Sequence, residues 1–143
     1  MAKKTITGKG RKATRKDVEL MLKVALLYNT DYDFEASEWF WREFHETTFL
    51  EFRSKYPQGT KGAQLVERFT SRFEYVGVLI EYGFLNEDLF FDRYGSLQAE
   101  WEKAKPIVYG LRKEWNEPRF RENFELLARR GQKWLERHPP KIK

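Results

Sequence analysis

The sequence contains no cysteine and only two histidines, His45 and His138. The lack of cysteine excludes disulfides, thiolate catalysis and cysteine-ligated zinc. Two histidines are too few for a three-histidine metal site within one chain. His45 stands at helical spacing from Trp41 and Phe49, so it is either a proton carrier in an aromatic pocket or an amphipathic side chain at the edge of the core. We infer no metal and no cofactor.

Long apolar runs are missing as well. The most apolar stretch, residues 18–28, contains Glu19 and Lys23 and covers about half of the roughly 20 residues that a membrane span needs. Polar residues such as Thr5 and Thr7 stand where the apolar part of a signal peptide would begin. We therefore expect a cytoplasmic protein without a membrane-spanning helix.

Acidic residues are absent from the first sixteen positions, whereas positions 17–128 carry 14 basic and 21 acidic residues, a balance of −7. The basic residues at the start are Lys3, Lys4, Lys9, Arg11, Lys12, Arg15 and Lys16. The sequence pI of 9.4 therefore describes the ends of the chain and not its body. We expect a disordered basic arm over 1–13, a single helical domain over 14–138 and a basic tail over 139–143.

This basic arm is compatible with two kinds of binding. It can neutralise phosphates and give salt-dependent nucleic-acid binding, or it can act as an electrostatic handle that docks onto a protein or an anionic lipid surface. We favour docking onto a protein, because a body of charge −7 repels the nucleic acid that the arm attracts. A nucleic-acid-binding protein and a peripheral membrane-surface protein are the alternatives.

The spacing of apolar residues predicts an all-α fold, a compact bundle of five to six helices. Period-two alternation, the pattern of half-buried strands, is absent. Heptad-like seams are predicted in helices 3, 5 and 6. Their positions are Val66, Phe69, Phe73, Val76 and Ile80; Leu97, Trp101, Ala104, Val108, Leu111 and Trp115; and Phe120, Phe124, Leu127, Gly131 and Trp134. Gly77 lies inside helix 3, where we expect another helix to approach closely.

The limits of the other helices follow from caps and breakers. Thr14 is predicted to cap helix 1, whose apolar residues occupy every face, so neighbours are expected to cover it nearly all round. Helix 2 is expected from about 34 to 56. Pro106 predicts a kink or a break in helix 5, and Pro118 the first turn of helix 6.

Trp39 and Leu50 are candidates for a partner interface. In the predicted helix 2 they fall together, almost opposite the main apolar face. Either a further helix covers this second stripe, or the stripe contacts a partner protein or a second copy of the chain.

Glu74 is the carboxylate that we single out, because it stands beside Phe73 in the seam of helix 3. A buried carboxylate requires a charged or hydrogen-bonding partner, since desolvation alone would neutralise it. It is therefore either half of an ion pair that fixes helix register or an acid in a binding site.

Five sequence features follow one another between residues 65 and 128. They are RFTSRFEYVG (Arg68 to Gly77), YGFLNEDL (Tyr82 to Leu89), Trp101, Arg112 and FELLA (Phe124 to Ala128). This pattern resembles an uncharacterised family of short all-helical proteins, a domain of unknown function whose members often carry an N-terminal membrane-spanning helix. The resemblance implies a helical fold, a buried ion pair between Glu74 and Arg112, and a membrane-proximal or interaction role.

Taken together, these features predict a non-enzymatic interaction or accessory protein. We expect it to bind another protein or to self-associate, with the basic arm as an electrostatic docking handle. We infer no small-molecule substrate.

Overall fold

The computed structural model describes residues 11–142, and in this part of the chain all regular structure is helical. Seven helices follow one another: α1 (Arg15–Leu27), α2 (Asp31–Arg42), α3 (Phe49–Lys55), α4 (Lys61–Glu81), α5 (Glu87–Tyr94), α6 (Gln98–Glu114) and α7 (Glu122–Arg137). The predicted all-α class is confirmed, whereas the predicted number of five to six helices is too low. Predictions for residues 1–10 and Lys143 lie outside the described residues.

The extra helix arises because residues 43–48 divide the expected helix 2 into α2 and α3. Thr48 begins α3 as its N-cap, and its hydroxyl accepts a hydrogen bond from the Glu51 backbone N–H at 3.1 Å. Phe44, within the break, is fully buried and stacks on Trp39 with 5.3 Å between ring centroids. The Thr48-x-x-Glu51 pair is a helix-start pattern in the sequence that outweighs the apolar periodicity around it.

α4 is the longest helix and packs mainly against α7 and α2. Its apolar positions at three- and four-residue spacing are buried, as are those predicted for α6 and α7, except that Trp115 and Phe120 are only partly buried. Pro106 lies within α6 and does not divide it. Phe73 of α4 and Phe124 of α7 meet at 5.0 Å between ring centroids, which places this aromatic contact in the middle of the core.

The predicted close approach at Gly77 is confirmed. A Cβ atom at this position would overlap the backbone carbonyl of Asn123 at the start of α7. Gly131 of α7 has the same role elsewhere in the bundle, because a Cβ there would overlap the backbone of Ser96, which precedes α6. The absence of a side chain at both positions lets backbones approach to a distance that alanine would prevent.

Candidate interaction surface

The first turn of α1 is anchored by a buried carboxylate, that of Asp17, which is 1% exposed. It accepts two hydrogen bonds from the Arg11 guanidinium, at 2.6 and 2.7 Å, and others from Thr14 and the Asn86 backbone N–H. The bonds from Arg11 hold the pKa of Asp17 well below its ordinary value, and those from Thr14 and Asn86 add to this effect against the opposing effect of burial. The predicted cap at Thr14 is confirmed.

The outer side of α1 carries a row of exposed aliphatic side chains. Val18, Leu22 and Leu26 stand four residues apart and are 49%, 66% and 67% exposed, so they share one helical face about 12 Å long. We call these three residues the α1 face. The opposite side packs inward, with Val24 at 1% exposure. The expectation that neighbours cover α1 nearly all round is therefore wrong.

Basic groups lie at the start of the α1 face and along one of its edges. Arg15, Lys16 and Lys23 are exposed on the same helix, and Glu19 is its only exposed acidic residue. The buried acid of this helix, Asp17, is neutralised by Arg11. The described surface of α1 is thus apolar along the α1 face and net positive overall, with Lys16, Lys23 and Glu19 on one edge.

The basic residues predicted to contact anions therefore have different positions. Lys3, Lys4 and Lys9 lie outside the described residues, and Lys12, Arg15 and Lys16 are exposed. Arg11 differs from them because it pairs with Asp17 and also donates to the Gly83 carbonyl at 3.2 Å. Within the predicted arm over 1–13, a buried carboxylate holds the side chain of Arg11, whereas residues 1–10 lie outside the described residues.

Trp39 and Leu50 do not form the expected stripe, because the break after α2 puts them on separate helices. Trp39 is 7% exposed and lies between Phe44 and Tyr56, each with its ring centroid at 5.3 Å. Leu50 on α3 is 81% exposed. Trp39 is thus a core residue, and of the predicted pair only Leu50 is exposed.

Glu74 is partly buried, but its partner is not Arg112. Its carboxylate accepts hydrogen bonds from the backbone N–H groups of Asn123 and Phe124, both at 3.0 Å, and from the Asn123 side-chain amide at 2.7 Å. These are donors of the first turn of α7, which begins at Glu122 and not near Pro118. Glu74 on α4 therefore caps α7 from outside, because free N–H groups and the helix dipole favour a carboxylate at a helix start.

Arg112 forms its ion pair with Glu125 of α7, at 2.9 Å, and donates to the Phe120 carbonyl at 2.8 Å. Burial alone would raise the pKa of Glu125. The hydrogen bond and charge of Arg112, with smaller effects of Tyr109 and Arg129, outweigh burial, so the pKa lies below its ordinary value. The predicted Glu74–Arg112 pair is wrong, although both residues join helices to α7. Sequence spacing gives no signal for which of two nearby glutamates an arginine on another helix will reach.

Lys103 of α6 is a polar contact that the sequence pattern does not reveal. Its ammonium group donates to the Phe40 carbonyl near the end of α2 and lies 5.1 to 5.4 Å from the ring centroids of Phe40, Trp41 and Phe44. Burial lowers the pKa of Lys103. Since a cation is favoured at a helix C-terminus and over aromatic faces, Lys103 joins α6 to the end of α2.

The two histidines are not brought together. His45 is exposed in the break after α2, so the expectation of a side chain at the edge of the core fits its position better than an aromatic pocket does. His138 follows α7, where its ring stacks on Trp134 with 4.2 Å between centroids. Within residues 11–142, no group of three or more metal-ligating side chains is placed to hold an ion.

The comparisons with known proteins give a family and no function. None of the helices in the described residues combines the length and apolar character that crossing a bilayer requires. No curated protein and no solved structure matches the chain. A family model described as a domain of unknown function, DUF4760, matches residues 13–134. Because this match covers most of the sequence, the chain belongs to the DUF4760 family.

Proposed function

We propose that this chain is a non-enzymatic interaction module that binds another protein through the α1 face. The observation that carries the proposal is the row of Val18, Leu22 and Leu26, half to two-thirds exposed on a helix whose other side is fixed by Asp17. Contiguous exposed apolar surface on a folded domain marks interaction sites. Because α1 is anchored before any partner arrives, little ordering entropy opposes binding.

The charge around the α1 face indicates what kind of partner fits it. Arg15, Lys16 and Lys23 favour a segment in which apolar side chains are flanked by Asp or Glu. The ten residues that precede Arg11 do not have this chemistry, since they carry Lys and no acidic residue. The basic residues of the arm would instead accelerate the encounter with an acidic partner, as a docking handle.

The rest of the bundle, which α1 contacts mainly through α5, supplies a rigid support in this proposal. We propose that the three- and four-residue spacing in α4, α6 and α7 packs as heptad-like seams. Contacts such as Phe73 on Phe124 at 5.0 Å and Trp101 on Phe124 at 5.1 Å between ring centroids support this arrangement. Aromatic packing of this kind keeps the binding surface in one shape.

A synthetic peptide provides the direct test. The probe is a fluorescent helix with three leucines four residues apart and glutamates on both flanks, and its control has lysines in place of the glutamates. We expect the chain to bind the acidic probe with a dissociation constant on the order of 10 µM, and the lysine control at least tenfold more weakly. The Leu22→Gln/Leu26→Gln double variant should lose tenfold or more in affinity for the acidic probe.

Leu50→Gln is the matched control, because Leu50 is exposed but lies on α3. We expect it to bind like the unmodified chain; loss of binding in Leu50→Gln alone would move the interface to α3. Vesicles containing phosphatidylserine and a DNA duplex are tested in parallel. If either one binds the chain through Leu22 and Leu26 while the acidic peptide does not, the partner is a membrane or a nucleic acid and the proposal is wrong. Sedimentation that shows a dimer dependent on Leu22 would instead identify a second copy as the occupant.

A further inference from the structure

Arg72 of α4 is a guanidinium with an unusual environment. Its Nη2 donates to the Ser37 hydroxyl at 2.6 Å, whereas its Nε is buried and has no acceptor among the described residues. Its central carbon lies 4.5, 5.0 and 5.1 Å from the ring centroids of Phe69, Tyr28 and Phe73. These rings remove water from one side of the charge and supply no carboxylate.

No described carboxylate forms a salt bridge with Arg72. Asp33 is close, but Arg68 binds it at 2.8 and 3.3 Å and Thr30 at 2.6 Å. Glu100 attracts Arg72 only from a longer distance. Burial lowers the pKa of Arg72 and raises the pKa of Glu100, in line with the absence of a salt bridge between them.

A cavity of about 220 Å³ opens beside this guanidinium. Its lining comprises Leu27, Asp33, Arg68, Ser71, Arg72 and Tyr75. Since Asp33 neutralises Arg68, the charge left uncompensated at the cavity is that of Arg72. Tyr28, whose ring lies against Arg72, has a second buried donor without an acceptor, its phenolic hydroxyl. Tyr28 is not part of the lining, whereas the lining itself has two guanidinium groups, Arg68 and Arg72, and one carboxylate, Asp33, so its charge is net positive.

We propose that this cavity binds an anionic group with at least two acceptor oxygens, a carboxylate or a phosphate, with Arg72 as its counter-charge. A guanidinium binds such groups through paired N–H donors, and the interaction is stronger in a site from which water is partly excluded. Arg72 lines the cavity and its buried Nε–H has no acceptor among the described residues, and Ser71 at the cavity wall has a hydroxyl that can donate as well. The inference is independent of the α1 face and can hold if that proposal fails.

The test follows the Nε–H resonances of the arginines by ¹H–¹⁵N spectroscopy on the full chain. Inorganic phosphate and malonate are titrated separately at constant ionic strength, with chloride as the balancing anion. We expect the Arg72 resonance, assigned by its loss in Arg72→Lys, to shift with saturation at a dissociation constant on the order of 1 mM. Arg93 is the internal control, because it also stacks on a tyrosine, at 4.8 Å from the Tyr94 ring, but is exposed to solvent; its resonance should not move.

Two variants sharpen the result. Glu100→Gln removes a carboxylate that attracts Arg72 and, unlike Asp33, is not bound by Arg68, so we expect this variant to bind phosphate or malonate several-fold more tightly. At ten times the dissociation constant, the anion should raise the melting temperature of the unmodified chain by about 3 °C more than that of Arg72→Lys, since general salt effects act on both.

The source of the anionic group is tested by adding the acidic peptide in place of the small anions. A shift of the Arg72 resonance with phosphate or malonate indicates a free ligand, whereas a shift with the peptide alone indicates an acidic side chain of a bound protein. If Arg72→Lys does not fold, the Arg72 Nε–H resonance is assigned by through-bond correlations from the assigned backbone of Arg72. The titration of the unmodified chain alone then tests anion binding. An Arg72 resonance that stays unchanged with all three probes overturns the inference.

Discussion

Helices α7 and α1 are attached to the molecule by different forces. α7 packs on α4 through Phe124, Leu127 and Ala128, all at most 1% exposed, and approaches so closely that only glycine fits at Gly77. α1 fully buries one aliphatic residue, Val24, packs Leu20, Met21 and Tyr28 partly buried against the core, and has its first turn held by the ion pair and hydrogen bonds of Asp17. Both attachments combine apolar and polar contacts, but apolar burial is much more extensive in the first, and a single buried ion pair has a larger share in the second.

This difference means that the residues that stabilise the fold and the residues available to a partner lie largely on different helices. A helix attached by close packing has most of its large apolar side chains in the core, as in α7, where Leu126 and Leu135 are the exposed ones. A helix attached by a polar anchor keeps aliphatic side chains available at its surface, as Leu22 and Leu26 of α1 are. The contrast makes distinct predictions for the two helices, from large losses of stability on α7 to almost none on the α1 face.

Phe124→Ala should give the largest effect. Phe124 is fully buried between Phe73 and Trp101, so its truncation leaves a cavity and should lower the free energy of unfolding by about 3 to 5 kcal/mol. Urea unfolding followed by tryptophan fluorescence measures the change. Leu126→Ala on the same helix is the control, because Leu126 is 37% exposed and should cost roughly 1 kcal/mol or less. Equal losses in the two variants would contradict the packing described for α7.

Asp17→Asn should give the next largest effect. The substitution leaves Arg11 without its carboxylate and weakens the hydrogen bonds to Thr14 and Asn86. We expect the free energy of unfolding to fall by about 2 to 3 kcal/mol, less than for a fully buried ion pair, because Arg11 is partly exposed. Glu19→Gln, a charge removal at the exposed side of α1, should change stability by less than about 0.5 kcal/mol.

The pH dependence of this loss has a defined sign. Asp17 has a folded-state pKa below its ordinary value of 3.8, so its contribution is present above about pH 4 and declines as the pH falls through and below that value. The difference in stability between the unmodified chain and Asp17→Asn should therefore be smaller at pH 2.5 than at pH 7. A difference that is independent of pH would show that the carboxylate is not the anchor.

Gly77→Ala tests the closeness of α4 and α7. The new Cβ would overlap the Asn123 carbonyl, so α7 must move, at an expected cost of about 1 to 3 kcal/mol. In an exposed helix the same change would be stabilising by roughly 1 kcal/mol, which makes the sign of the result diagnostic. Thermal unfolding of Gly77→Ala beside Ser71→Ala, an exposed position on α4, gives the comparison; increased stability in Gly77→Ala would contradict the close contact.

The same contrast explains how much of the structure the sequence could predict. The spacing of Val66, Phe69 and Phe73 predicted a buried helix face correctly, because large apolar side chains at regular intervals have one favourable environment. The same reasoning fails for α1, because apolar residues on every face of a helix do not show which of them are buried. Its many leucines suggested burial on all sides, and the row of Val18, Leu22 and Leu26 was not recognised as a separate face.

Polar contacts between distant segments were the other source of error. Glu74 is partly buried and has hydrogen-bonding partners, as expected. These partners are backbone N–H groups of α7, which every residue except proline has, so residue types do not predict them. Its basic neighbours place Arg11 in the predicted arm, whereas the deciding contact is the ion pair with Asp17. Arg72 had no signal in the sequence at all.

Leu22→Gln and Leu26→Gln should have the smallest effects on stability. Both side chains are about two-thirds exposed and glutamine is a good helix former, so each change should stay within about 0.5 kcal/mol. Each should nevertheless weaken binding of the acidic peptide, because the aliphatic surface is the contact. Urea unfolding and fluorescence anisotropy on the same samples measure both quantities; a loss of stability above about 1 kcal/mol in either variant would mean that the α1 face is part of the core.

The most direct measurement uses the natural lack of cysteine. Leu22→Cys and Val24→Cys each place one thiol on α1, two residues apart but on opposite sides, and the rate of alkylation by iodoacetamide is measured in native buffer and in urea. We predict that Leu22→Cys reacts within about threefold of its rate in urea, whereas Val24→Cys is slowed at least a hundredfold, because a buried thiol reacts only when the structure opens. Equal protection of the two thiols would contradict the exposed α1 face, and with it the proposed interaction surface.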